Sequence, residues 1–144
     1  MISDDTINLL NECDAGVKMG ISSFNEVMDK VQSSELRNLL QESRQTHFEL
    51  LGRTKQYLEE YGQEGKDPAP VARFMASMKT KMKLDETGPD TTIASLMTDG
   101  CNMGKKSLYK YINQYPLAQE KVKKLADDIA EAEGKLEKDL HRFL

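Results

Sequence analysis

The amino-acid sequence predicts an all-α protein, an antiparallel bundle of four long helices with a fifth helical segment inserted between the two pairs. Three observations carry this. Apolar residues recur at alternating spacings of three and four along separate stretches, the period of one buried helix face. No stretch shows the period-two alternation of a half-buried strand. Segments rich in glycine, proline or serine fall between the periodic stretches, where turns are needed.

In the first stretch the stripe is Ile7, Leu10, Val17, Ile21, Phe24, Met28 and Val31, with Asp14 in its one gap. Ser33-Ser34-Glu35 interrupts it, and either serine can cap a second helix. That helix carries Leu36, Leu40, Leu50, Tyr57 and Tyr61, with Ser43, His47 and Thr54 at the intervening positions. Gly62 to Pro68 must be a break, because two glycines and a proline form helix poorly. A shorter apolar side of Val71, Phe74, Met75, Met78 and Met82 predicts the inserted helix from Ala69 to about Leu84, and its methionines read as packing surface. After Gly88-Pro89-Asp90, Thr91 or Thr92 opens a third long helix with Ile93, Ala94, Met97, Cys101, Leu108 and Ile112. Pro116 starts the fourth, whose stripe is Val122, Leu125, Ile129, Leu136, Leu140 and Phe143. One domain of 144 residues follows, long enough to bury a core without disulfides or structural metal. It divides into a hairpin over 4–62, a crossover with the inserted helix over 63–90 and a hairpin over 91–144.

Composition narrows the function classes. An apolar share of 38% beside a charged share of 31% suits amphipathic helices with one well-solvated face. A net charge of -4 and a pI near 5.3 argue against a nonspecific hold on nucleic-acid phosphates. The lysine clusters Lys79, Lys81, Lys83 and Lys121, Lys123, Lys124 lack interleaved aromatics and read as solvated faces. The start, Met1 to Asp5, has no basic stretch leading into an apolar core, and no apolar run approaches the ~18 residues of a membrane span. A cytoplasmic protein with neither a nucleic-acid nor a membrane partner is expected. Cys13 and Cys101 stand far apart without metal-finger spacing, so buried reduced thiols are expected. There is no phosphate-binding loop, dinucleotide fingerprint or nucleophile elbow, and no catalytic or cofactor-binding residue is assigned.

The chain also repeats itself. Gly16-Val17-Lys18-Met19-Gly20 followed by Phe24 recurs 84 residues later as Gly100-Cys101-Asn102-Met103-Gly104 followed by Leu108. Leu36, Leu39, Leu50, Tyr57 and Leu58 align with Val122, Leu125, Leu136, Phe143 and Leu144 at an offset of 86. Each mid-helix glycine costs about 1 kcal/mol relative to alanine, so a compensating close approach of helices one and three at Gly16, Gly20, Gly100 and Gly104 is expected. The long connection over 62–90 can span the bundle, which makes helices one and three antiparallel and relates the halves by an approximate two-fold axis.

Three ionisable residues interrupt the apolar stripes: Asp14 on helix one, His47 on helix two and Glu133 on helix four, with Thr98 repeat-equivalent to Asp14. Counted from the hairpin turns at ~1.5 Å per residue, Asp14 and His47 fall within roughly one turn of each other and can share a layer. Buried charges are expensive unless paired, so the layer implies mutual hydrogen bonding, a bound cation or an opening to water.

These residues, with the repeated helix starts Leu10 to Phe24 and Ala94 to Leu108 and the Pro68 to Leu84 insert, resemble a bacterial ferritin-like family of unknown function, distantly similar to rubrerythrin and ferritin. The resemblance covers most of the chain and implies a ferritin-like bundle in which Asp14 sits at a helix-one carboxylate ligand position and His47 at a helix-two histidine position. The chain departs from the pattern elsewhere. Arg44 rather than Glu stands three residues before His47, Thr98 replaces the helix-three carboxylate, and Glu133 falls where a second His belongs, with Ala130 three residues before it. His141 has Lys138 at that spacing. A di-iron centre needs several carboxylates to neutralise two cations, so the expected cofactor is none, or a single iron, manganese or zinc ion held by Asp14, His47 and Glu133. The expected function is non-enzymatic binding or association, as a homodimer or with a protein partner. The alternative is a metal-binding oxidase, peroxidase or storage protein with a reduced ligand set.

Overall fold

The computed structural model describes residues 3–67, 76, 77, 79, 80 and 89–144. Among them four long helices form: α1 Asp4–Val27, α2 Ser34–Glu60, α3 Pro89–Gln114 and α4 Glu120–Leu140. Short 3-10 segments, Met28–Lys30 and His141–Phe143, extend α1 and α4. The inserted helix expected from Ala69 to about Leu84, with Val71, Phe74, Met75, Met78 and Met82, lies for the most part outside the described residues.

The helix ends follow from local chemistry. Ser3 caps α1 by accepting from the Thr6 amide at 3.2 Å, and Asp4 and Asp5 place negative charge where the helix dipole favours it. Ser33, rather than Ser34, caps α2 through the Leu36 amide at 3.2 Å. α2 stops because Gly62 turns to φ 67, which lets Gln63 N donate to Leu58 O at 2.8 Å and Gly62 N donate to Glu59 O at 3.1 Å. α3 begins at Pro89, two to three residues earlier than expected. The Asp90 carboxylate in its first turn accepts from Gln32 N at 2.8 Å and Ser33 N at 2.7 Å, tying this end to the α1–α2 turn.

α4 begins later than Pro116. The amide of Leu117 donates to Asp5 at 2.8 Å and that of Gln119 to the Thr6 hydroxyl at 3.0 Å, so this stretch is a turn bound to the start of α1.

α1 packs on α2, α3 on α4, and α4 also touches α1 and α2. Along the α2–α4 seam Glu35 pairs with Arg142, His47 with Glu133, Arg53 with Asp128 and Glu60 with Lys121. The apolar interior falls into two clusters. One gathers Leu9, Leu10, Val17, Ile21, Leu50, Leu108, Val122, Leu125 and Ile129. The other gathers Phe24, Val27, Leu36, Leu40, Ile93, Met97, Cys101, Leu136 and Leu140. Fully burying one such side chain is worth about 1.5–3 kcal/mol, so both halves contribute substantially. No helix among the described residues is long and apolar enough to cross a membrane.

Candidate functional site

The two clusters meet at a polar layer. On α2 it falls between Leu40 and Leu50, on α4 between Ala130 and Leu136, and the residues there are His47 and Glu133. His47 is 0% exposed and Glu133 8%. His47 Nε2 lies 2.7 Å from Glu133 Oε1, and its Nδ1 lies 2.8 Å from the Ser43 carbonyl oxygen one turn back along α2.

These two contacts fix the proton inventory. A carbonyl oxygen only accepts, so Nδ1 carries a hydrogen. A neutral ring would then present an Nε2 lone pair to the carboxylate, and two acceptors at 2.7 Å repel. The pair therefore holds one further proton, as imidazolium with carboxylate or as imidazole with carboxylic acid. Its net charge is zero either way. Burial is the largest single influence on His47 and pulls its pKa down. The Glu133 hydrogen bond and charge, helped by the Ser43 carbonyl, together outweigh it and hold the imidazole above its usual 6.5. Phe24 packs its ring edge-on against the imidazole with centroids 5.0 Å apart.

The Cys101 thiol is buried close enough to Glu133 to feel its charge. Burial, then the Glu133 charge, pushes that thiol far above the ordinary range. Cys13 lies in the other apolar cluster and is raised to about 12 by burial and by Glu12 and Asp14. Both thiols are free, buried and protonated at neutral pH, which agrees with inert structural cysteines.

Asp14 has partners of its own. It is 0% exposed, but its carboxylate takes Lys18 Nζ at 2.7 Å and the Lys66 amide at 2.9 Å. Gly20, not Asp14, packs on His47. The six residues from Asp14 to Gly20 amount to about 9 Å along a helix, which separates the two sites. Asp14 instead fastens the segment after α2 to α1. Gly65 there has φ 94, and any side chain on it would run into the Asp14 carboxylate. Thr98 turns its hydroxyl back to Ala94 O at 2.7 Å, Arg44 goes to Asn25 at 3.0 Å, and His141 pairs with Glu137 at 3.0 Å on the surface.

The glycines have different surroundings. Gly16 is exposed, and a methyl on it would meet nothing within 4 Å. A methyl on Gly20 would lie 2.8 Å from His47 Cδ2, and one on Gly104 would lie 3.5 Å from Glu133 Cδ. Gly20 and Gly104 make room for the buried pair. Together with Gly16 and Gly100 they line a cavity of about 490 Å³ between α1 and α3, with Glu133 and His47 at its base. A second hollow of about 650 Å³ lies among charged residues such as Glu35, Lys138 and Arg142, away from this layer.

As a metal site the layer is short of ligands. Among the described residues one group of three His, Cys, Asp or Glu has ligand atoms mutually within 4.8 Å, and it is Asp127, Asp128 and Glu131 on the outer face of α4. Asp128 there already accepts from Arg53 at 2.7 Å and from Lys124 at 2.5 Å. His47, Glu133 and Cys101 do not form such a group, so the residues present do not fit a di-iron centre. The nearness of Cys101 to Glu133 was not legible in the stripes. The signal available for His47 and Glu133 was their separation of 86, the offset that aligns the second helices of the two hairpins.

Comparison with curated proteins and with solved structures finds no match for the chain. A family model described as a domain of unknown function (DUF2383) matches residues 5–114, which include α1, α2, α3 and His47 but not Glu133. That match spans well over half of the chain, which therefore belongs to the DUF2383 family.

Proposed function

We propose that the chain is a ferritin-like antiparallel bundle in which a hydrogen-bonded His47–Glu133 pair stands at the metal layer, and that it works without enzymatic chemistry, by association with a second copy or another protein. One observation carries this: both nitrogens of His47 are engaged, Nδ1 by the Ser43 carbonyl at 2.8 Å and Nε2 by Glu133 at 2.7 Å. Such an imidazole offers no free lone pair. The architecture draws support from the seam partners, which climb α4 from Lys121 to Arg142 as they descend α2 from Glu60 to Glu35. Phe48, Met103 and Tyr109, each nearly half exposed, supply apolar surface for association.

A second reading has one observation in its favour. An Nδ1–H bonded to a backbone carbonyl is the arrangement that orients metal-ligating histidines. In that reading His47 and Glu133 would hold a single iron, manganese or zinc ion, in an oxidase, peroxidase or storage protein. Mass-spectrometric metal analysis of protein purified without added metal separates the two. Far less than one metal per chain is expected. Stoichiometric iron or manganese that disappears in Glu133→Gln refutes the non-metal reading.

A further inference from the structure

The cavity between α1 and α3 extends beyond the buried pair to residues of α1, α3 and α4. At about 490 Å³ it falls within the ~300–1,000 Å³ of pockets that enclose small molecules. Its walls are Met19 and Phe24 of α1, Met97, Met103 and Leu108 of α3, and Leu136 of α4. Unbranched methionines adapt their shape to a guest. Gly16 also borders the cavity, but it is exposed, and an added methyl there touches nothing within 4 Å.

The lining is mostly apolar but carries Ser23, Ser77, Ser107 and Tyr111, the Glu12–Lys66 pair at 2.6 Å, and Glu133. Glu133 Oε1 is held by His47, and Oε2 lies 3.7 Å from where a methyl on Gly104 would sit. The His47–Glu133 pair is neutral overall, so a charged guest would add an uncompensated charge to a largely apolar enclosure. An uncharged guest avoids that penalty, and a carboxylate oxygen calls for a hydrogen-bond donor.

We propose that this cavity binds an uncharged, mainly aliphatic small molecule bearing one hydroxyl or amide donor, with its tail along Met19, Met97 and Met103 and its donor on the Glu133 carboxylate. Binding here goes beyond association, although Met103 belongs both to the cavity wall and to the half-exposed apolar surface.

The test uses the full chain and three probes of equal tail length, 1-decanol, decanoate and decylamine, each titrated by displacement of a neutral fluorescent dye. One decanol per chain is expected, bound at least about tenfold more tightly than either charged probe. Gly104→Leu places a side chain beside Glu133 in the cavity and should weaken decanol at least about tenfold while keeping a cooperative melt. If that melt is lost, Met103→Asp at the half-exposed rim serves instead, with the same expected loss. Four results overturn the proposal: no decanol binding; decanoate or decylamine binding as tightly as decanol; wild-type affinity in the blocking variant; or binding that emerges only after Phe74, Met75, Met78 and Met82 are replaced by serine, which would mean that the chain's own residues occupy the cavity.

Discussion

Alanine at two glycines of matching sequence context should act with opposite sign. In a helix interior Gly→Ala is worth about 1 kcal/mol of stability wherever the methyl fits. At Gly104 it fits, because its nearest neighbours are Glu133 atoms at 3.5, 3.6 and 3.7 Å, ordinary van der Waals contact. At Gly20 it does not, because the methyl would sit 2.8 Å from His47 Cδ2 and 3.1 Å from Nε2. The imidazole cannot swing aside freely, since both nitrogens are hydrogen-bonded and Phe24 abuts the ring. Moving it forfeits a hydrogen bond to a charged group, about 1.5–3 kcal/mol, against the gain of about 1 kcal/mol. Gly104→Ala should therefore stabilise by about 1 kcal/mol and Gly20→Ala destabilise by about 0.5–2 kcal/mol, read as urea midpoints at constant slope. For a chain of this size each kcal/mol shifts the thermal midpoint by roughly 2–4 °C or slightly more. Equal stabilisation by the two alanines would refute the proposed packing of Gly20 on His47.

Three further predictions bear on the polar groups. Glu133→Ala leaves His47 buried without its partner and should cost about 3–5 kcal/mol, whereas His47→Leu with Glu133→Met should recover most of that loss; additive losses in this double-mutant cycle would show that the two are not coupled. The folded state holds the His47 proton more tightly than the unfolded chain does, so the pair's contribution is complete below about pH 6.5 and fades as pH rises through the raised pKa; melting temperature against pH should fall over that window in the wild type and flatten when His47 is replaced by leucine. Asp14→Ala strips the Lys66 amide and Lys18 of their acceptor and should cost about 1–3 kcal/mol, with faster tryptic cleavage after Lys66; unchanged cleavage would mean that the 62–67 segment is held by something else.

Much of the fold was legible because helical periodicity is local. The stripe residues of α4, Val122, Leu125, Ile129, Leu136 and Leu140, are all buried, and the break at Gly62 lies where two glycines and a proline placed it. The starts of α3 and α4 were less legible, because each is set by long-range bonds. Asp90 reaches back to residues 32 and 33, and Asp5 and Thr6 hold the amides of Leu117 and Gln119. The lysine cluster at 121–124 read as a solvated face, and its members pair with Glu60, Glu120 and Asp128.

Periodicity alone established that Asp14, His47 and Glu133 face inward, since a residue in an apolar stripe of a helix must be enclosed with its neighbours. It could not say which of them meet. That depends on how far one helix slides along another, and a slide of a few residues at about 1.5 Å each exchanges one partner for the next. Tertiary packing joined His47 to Glu133 and set Cys101 near that carboxylate, and it sent Asp14 to Lys18 and the Lys66 amide. The glycines follow the same division. Their four-residue spacing is written in the chain, but only the packing of the helices decided that they border a cavity and that Gly20 and Gly104 lie against the buried His47–Glu133 pair.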